Sequence, residues 1–284
     1  MRILVLGGSE FIGKAIVTAL LHDHDITVLN RGNRKLDGTT QLTADRNDRR
    51  AVSAALDGAD FDAIVDVSAV DPAWVTSVLD VVKPDPRTRY VYISSAAVYD
   101  VRPAHSSPNE NAPANGAEEW GDYGRAKAAC ERLLGGSAFK ATIFRPPYVY
   151  GPHNNMPREG ALWAAMLAGD EIRVPATRAT RAQFCHVDVL AQSVRAACDG
   201  SLDAGVFNIG EQRSYEFAEY VSVLAAVAGV EARIVPVTDP SIPARSYFPF
   251  RDSDLLIDVS KIGGQHPSLE DGLASTYTWF TSVA

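Results

Sequence analysis

"RILVLGGSEFIG", Arg2 to Gly13, is the stretch that decides the fold. Its first five residues are an apolar, β-prone run; two glycines follow, and then "FIGKAIVTALL", whose apolar residues recur at helical spacing. A strand that turns through glycine straight into a helix gathers the free N–H groups of the first helical turn at one point, where they can face a phosphate. In this reading Gly7 makes the tight turn and Gly13 lets the helix lie close to the strand. Gly8, Ser9, Glu10, Phe11 and Ile12 carry the chain past a bound pyrophosphate. The spacing departs from G-x-G-x-x-G, because Glu10 stands where a glycine is expected. Such glycines also serve turns that bind nothing, so the context matters.

The next strand supplies context. "DITVLN" ends 17 residues past Gly13, where an NAD site presents a carboxylate to the ribose 2′-hydroxyl. Here the residue is Asn30, with Arg31 and Arg34 close behind. A neutral side chain followed by guanidinium groups favours a 2′-phosphate, hence NADP(H), with NAD(H) as the alternative. A solvated basic turn accounts for the same residues without a ligand. Asp45, in "LTADRND", is placed to accept from the adenine amino group. The Glu10 carboxylate has two roles open to it: accepting from a ribose hydroxyl, or pairing with Arg31 or Arg34. The second is expected, and it would temper selectivity for NADP(H).

Short strands alternate with helical segments up to about Tyr148, which predicts an α/β protein with a doubly wound parallel sheet. Beyond that point the pattern loosens into Pro-, Asn- and Arg-rich segments around the helical "GALWAAMLAG" and "FAEYVSVLAAVAG". A smaller C-terminal substrate lobe is expected from residues 148–183, 209–245 and 260–284. Residues 1–147, with roughly 184–208 and 246–259, form the dinucleotide-binding domain. The 284 residues carry a formal charge of −8, against a broad nucleic-acid or anionic-membrane footprint. No apolar stretch reaches the length of a membrane span, so a cytoplasmic protein is expected. Cys130, Cys185 and Cys198 lack metal-ligand spacing and read as inert buried thiols; no metal is expected.

The chemical end follows from "YISSAAVYD" and "GDYGRAKAAC". Ser94 and Ser95 end a buried strand, and Tyr123 and Lys127 stand at i and i+4, which puts both side chains on one helix face. A free phenol titrates near pH 10, too high for an efficient base at neutral pH. A neighbouring ammonium is expected to lower that value.

The ordered set "GGSEFIG", "YISSAAVY", "YGRAK", "RPPYVYGP", "FCHVDVLA" and "FNIG" resembles the extended short-chain dehydrogenase/reductases, a family of NAD(P)-dependent epimerases, dehydratases and reductases. The late "FPFRD", with "NRG" and the non-glycine residue 10, resembles the atypical branch that includes chloroplast stem-loop RNA-binding proteins. The resemblance implies a Rossmann sheet, Tyr123 as acid/base, Lys127 as its partner and ribose anchor, and Ser95 polarising the substrate carbonyl. Ser68 and Pro146 complete the implied cofactor-binding set, and a homodimer is expected. Two departures weaken the case for a nucleoside-diphosphate sugar: Tyr148 replaces the usual asparagine, and Ala182 replaces an arginine, with Arg181 one place earlier. Ala96 and Ala97 replace the Asp-Glu of the dehydratases. Tyr148, His153, Asn154, Arg178 and Arg181 are the expected substrate contacts, suited to a sugar-like or anionic small molecule. His153 reads equally as a solvated loop residue, His186 as structural, and Trp163 and Met166 as core. The first functional reading is an NADP-dependent ketone reductase or alcohol dehydrogenase. A sugar or nucleotide-sugar epimerase is the alternative within the fold, and an RNA-binding or nucleotide-sensing protein the alternative outside it.

Overall fold

In β1 (Arg2–Leu6) alternate side chains go to opposite faces of a sheet: Ile3 and Val5 join one hydrophobic core, Leu4 and Leu6 another. All four are fully buried, so the strand is covered on both sides, as a parallel sheet requires. The computed structural model describes residues 1–82, 87–100, 104–263 and 266–283. After β1 come α1 (Phe11–Leu20), β2 (Asp25–Asn30), β3 (Thr40–Thr43), α2 (Arg49–Leu56) and β4 (Ala63–Asp66). Next are α3 (Pro72–Leu79), β5 (Arg89–Ile93), α4 (Gly121–Gly135) and β6 (Lys140–Arg145). Asp48 and Asp71 cap α2 and α3 by accepting from first-turn N–H groups, and Pro72 opens α3, where its missing donor costs nothing.

The chain then leaves the sheet through β7 (Tyr148–Tyr150), α5 (Glu159–Leu167), β8 (Glu171–Pro175) and β9 (Arg181–His186). It returns by α6 (Val187–Asp199) and β10 (Gly205–Asn208), and leaves again through β11 (Ser214–Glu216), α7 (Phe217–Ala228), β12 (Arg233–Val237) and α8 (Leu269–Val283). The main sheet has the order β10-β6-β5-β4-β1-β2-β3 with every pair parallel, a Rossmann arrangement whose order reverses between β1 and β4. Ligands of such sheets sit beyond the carboxyl ends of the strands at that reversal. β7, β9 and β11 form a separate sheet, and β8 pairs with β12. An aromatic core that includes Trp163, Phe184, Tyr220 and Phe250 holds these pieces together, with Met166 packed in it. Among the described residues, no helix is long and apolar enough to cross a membrane.

Candidate active site

The glycine turn has the shape its sequence predicts. Gly7 has φ +88°, and a Cβ on Gly13 would stand 2.2 Å from the Gly7 carbonyl oxygen, so α1 can lie this close to β1 only with glycine there. No side chain caps α1: Glu10 is its N-cap residue, but its carboxylate turns away and leaves the first-turn N–H groups open. Glu10 accepts instead from Asn155 Nδ2 at 2.7 Å and pairs with Arg34 at 3.3 Å, which realises one of the two pairings expected for it.

Two hollows meet at this turn. One, of about 360 Å³, has Gly7, Ser9, Glu10 and Ser68 on one side and Asn30, Arg31, Arg34 and Asp45 on the other. Asn30 fixes the basic turn: its Oδ1 accepts from Gly32 N and Gln41 Nε2, each at 2.7 Å, and its Nδ2 donates to Ser9 Oγ at 3.0 Å. Arg46, Asn47 and Trp74 also line this hollow and escaped the sequence reading. Arg46 forks onto Asp66 with two 2.7 Å hydrogen bonds and lies over the Trp74 ring. Asp66 is fully buried at the end of β4, and the adjacent guanidinium holds its pKa down against burial. No periodic signal marks this pair, because one member comes from the loop after β3 and the other from the end of β4, 20 residues apart.

The second hollow, of about 520 Å³, takes in Phe11, Ile12 and Pro146 at one end, and Ser95, Tyr123 and Lys127 in the middle. Tyr148 lies toward the other end with Trp120, Arg158 and Arg251, none of which except Tyr148 was foreseen. A Cβ on Gly124 would meet the Ala97 carbonyl oxygen at 2.5 Å; glycine therefore lets α4 press against the loop after β5 and brings Tyr123 beside Ser95. Below them, Glu131 accepts from Ser94 Oγ at 2.5 Å and from Arg145 Nη2 at 2.5 Å. All three side chains are buried, which ties the ends of β5 and β6 to α4.

The electrostatics differ from expectation. Lys127 donates to the Ile93 carbonyl at 2.7 Å, with its ammonium 6.0 Å from the Tyr123 ring centroid. Burial lowers its pKa to about 8, although Asp66 and Glu131 oppose the fall. Tyr123 is 45% exposed at the cleft mouth. Desolvation by the cleft walls nevertheless pushes the phenol up, while Ser95 and the charge of Arg158 pull it down. Solvent at the mouth screens part of that push. The cation that opposes the rise is Arg158, not the expected Lys127.

Four of the expected substrate contacts stand outside the cleft lining. Arg178 donates to Thr180 Oγ1 and the Asp252 carbonyl, and Arg181 donates to Ser214 and faces Glu216. Asn154 donates to Glu159 Oε2 at 2.7 Å, and His153 lies against Trp279. His186 caps α6, accepting from Asp188 N, and the three cysteines are buried free thiols. Among the described residues, no group of three or more metal-binding side chains converges.

A model of the NAD-dependent epimerase/dehydratase family matches residues 3–210, most of the chain. The chain belongs to that family. The chloroplast stem-loop binding protein of 41 kDa b from Arabidopsis thaliana is 27% identical over 97% of this chain and 78% of its own length. Among solved structures, dTDP-glucose 4,6-dehydratase of Bacillus anthracis in complex with NAD is similar with a TM-score of 0.82 and 17% identity, covering 99% of this chain and 97% of its own. UDP-glucose 4-epimerase of Thermus thermophilus in complex with NAD reaches 0.80 and 21%, with both chains fully covered. These likenesses place this family member in the same fold.

Proposed function

We propose that the protein is an NADP-dependent oxidoreductase that interconverts a keto and a hydroxyl carbon of a carbohydrate-like small molecule. The observation that carries this reading is the meeting of Ser95, Tyr123 and Lys127 on one cavity that opens to the glycine turn. The turn fits a dinucleotide: uncapped N–H groups, no room for a Cβ at Gly13, and a hollow on either side for the two halves. Gly7, Gly8, Ser9, Phe11, Ile12 and Gly13 would hold the pyrophosphate, with Asn30, Arg31, Arg34, Asp45 and Ser68 at the adenosine end and Lys127 and Pro146 at the nicotinamide end. When bound there, the nicotinamide supplies or accepts a hydride. Tyr123 gives a proton to the substrate oxygen or takes one from it. Ser95 donates to that oxygen as it gains charge, and Lys127, fixed on the Ile93 carbonyl, anchors the ribose. The preference for NADP(H) rests on Asn30, Arg31 and Arg34; Glu10 on Arg34 works against it.

The test is to mix the protein with NADPH or NADH and a panel of keto sugars and follow the reduced-nicotinamide absorbance. A steady fall supports net reduction, whereas interconversion at constant absorbance supports the epimerase reading that the family name favours. Tyr123→Phe is expected to abolish turnover while leaving NADPH binding intact; undiminished turnover removes Tyr123 from the chemistry. RNA retention that weakens with salt, with no redox activity, would favour the stem-loop-binding relative as the guide instead.

A further inference from the structure

Arg158, Arg245 and Arg251 border the same cavity as Ser95 and Tyr123, and no Asp or Glu stands on its wall. Among the described residues, none of the three forms an ion pair within 4 Å, whereas Arg46, Arg145, Arg181 and Arg195 each do; the buried Glu159 carboxyl feels the Arg158 charge but is bonded to Asn154 and Tyr220. In a chain of net charge −8, three guanidinium groups without an ion pair at one cleft repel each other, and an anion between them relieves that repulsion.

They stand around one aromatic floor. The Arg158 guanidinium lies 5.0 Å from the Tyr148 ring and 5.7 Å from Phe250, and that of Arg251 lies 5.6 Å from Trp120. Tyr148 contacts both Phe250 and Trp120, with centroids 4.6 and 6.5 Å away. Backbone carbonyls hold part of the cluster: Arg158 donates to Val149 at 3.3 Å and Arg245 to Pro249, each leaving other N–H groups unused. Trp120 Nε1 is shielded from solvent without a hydrogen-bond partner; the Tyr148 hydroxyl, on a side chain more than nine-tenths buried, faces the Arg251 backbone N–H and donates to no acceptor among the described residues. Burial pushes the Tyr148 phenol up to about 12, and all three arginines oppose that rise, as cations converging on its hydroxyl must.

We propose that this end of the cleft binds the phosphomonoester group of the substrate, held by Arg158, Arg245 and Arg251 with the Tyr148 hydroxyl. The assignment rests on the oxidoreductase reading and names its substrate class: a small phosphorylated sugar or polyol. One bidentate arginine satisfies a carboxylate, whereas three forks and a hydroxyl suit a dianion with three terminal oxygens. A cavity of about 520 Å³ that also takes the nicotinamide end favours a compact ester over a nucleoside-diphosphate sugar. Tyr148, in place of the family's asparagine, fits the same change of ligand.

The experiment is calorimetric titration of the cofactor-free protein with inorganic phosphate, glucose 6-phosphate, glucuronate, glucose and UDP-glucose. Glucose 6-phosphate is expected to bind at least about tenfold more tightly than glucose or glucuronate, with inorganic phosphate competing. Arg245→Gln with Arg251→Gln is expected to weaken it about tenfold or more. Both side chains are exposed, so the fold should persist. Arg251→Lys, which keeps the charge and loses the fork, serves as a milder second variant expected to weaken binding several-fold. Equal affinity for ester and neutral sugar, tighter binding of UDP-glucose, or unchanged binding by both variants would overturn the assignment. Phosphate-ester binding with no turnover of any phosphorylated keto sugar would count against the oxidoreductase reading and leave this site standing. Turnover of neutral sugars alone would do the reverse.

Discussion

Glu211→Gln is a perturbation whose effect can be worked from the structure. Glu211 is buried, accepting from Tyr150 at 3.2 Å and Tyr215 at 3.1 Å. Burial raises its pKa from the ordinary 4.5 to about 7, although both tyrosine hydrogen bonds oppose the rise. Between those values the native protein holds a proton that the unfolded chain has released. The stability due to this group is therefore complete below pH 4.5 and is lost as pH rises through 7. At 1.36 kcal/mol per pH unit the loss amounts to roughly 3 kcal/mol. His266 acts with the opposite sign: burial pushes it down to about 4, so its contribution grows with pH over an overlapping range. The informative quantity is therefore the difference between wild type and Glu211→Gln, in which His266 cancels. Urea unfolding of both at pH 5 and pH 8 should show wild type losing roughly 2.5 kcal/mol relative to the variant across that interval, part of the loss being complete by pH 5. A difference that does not change with pH would refute the account of Glu211 as a buried, protonated carboxyl.

Lys127, with its pKa lowered to about 8, should make NADPH affinity of the free protein fall as pH rises through 8, with a flat profile in Lys127→Met measured by fluorescence titration. Its sign on stability is the reverse of Glu211, since between about 8 and 10.5 the unfolded chain binds the extra proton and stability rises with pH. Glu10→Gly, which frees Arg34, should raise the NADPH to NADH affinity ratio by up to about fivefold at low salt, the ceiling for an exposed pair; an unchanged ratio makes Glu10 a bystander. Asp66→Asn strands the buried Arg46 charge and should cost about 3–5 kcal/mol in chemical denaturation; a loss below about 1 kcal/mol would contradict the buried pair.

The family shows why some of this was legible and some not. The fold and the candidate site announce themselves locally: β1, its glycine turn and α1 are contiguous, and Tyr123 and Lys127 share a face because four residues of helix make little more than one turn. The Arg46 to Asp66 fork and the Glu131, Ser94 and Arg145 cluster join residues from separate loops and strands, and nothing in sequence spacing reports a distance across a sheet. The substrate end is the clearest case. In sequence Arg178 and Arg181 belong to a basic stretch that looks available, whereas Arg251 belongs to "FPFRD", whose pattern signals no ligand. Folding turns the first two onto Thr180, Asp252, Ser214 and Glu216, and leaves Arg251 in the cleft with Arg158 and Arg245.

The sequence by itself determined the parallel sheet, the turn at Gly7 to Gly13 and the order of Ser95, Tyr123 and Lys127, because each depends on periodicity or on short spacing. Tertiary structure decided which cations are free. It also decided that Lys127 serves the Ile93 carbonyl and that Glu10 serves Arg34 and Asn155. Whether a charge is spent or available depends on what the rest of the chain brings to within about 4 Å, and only packing fixes that.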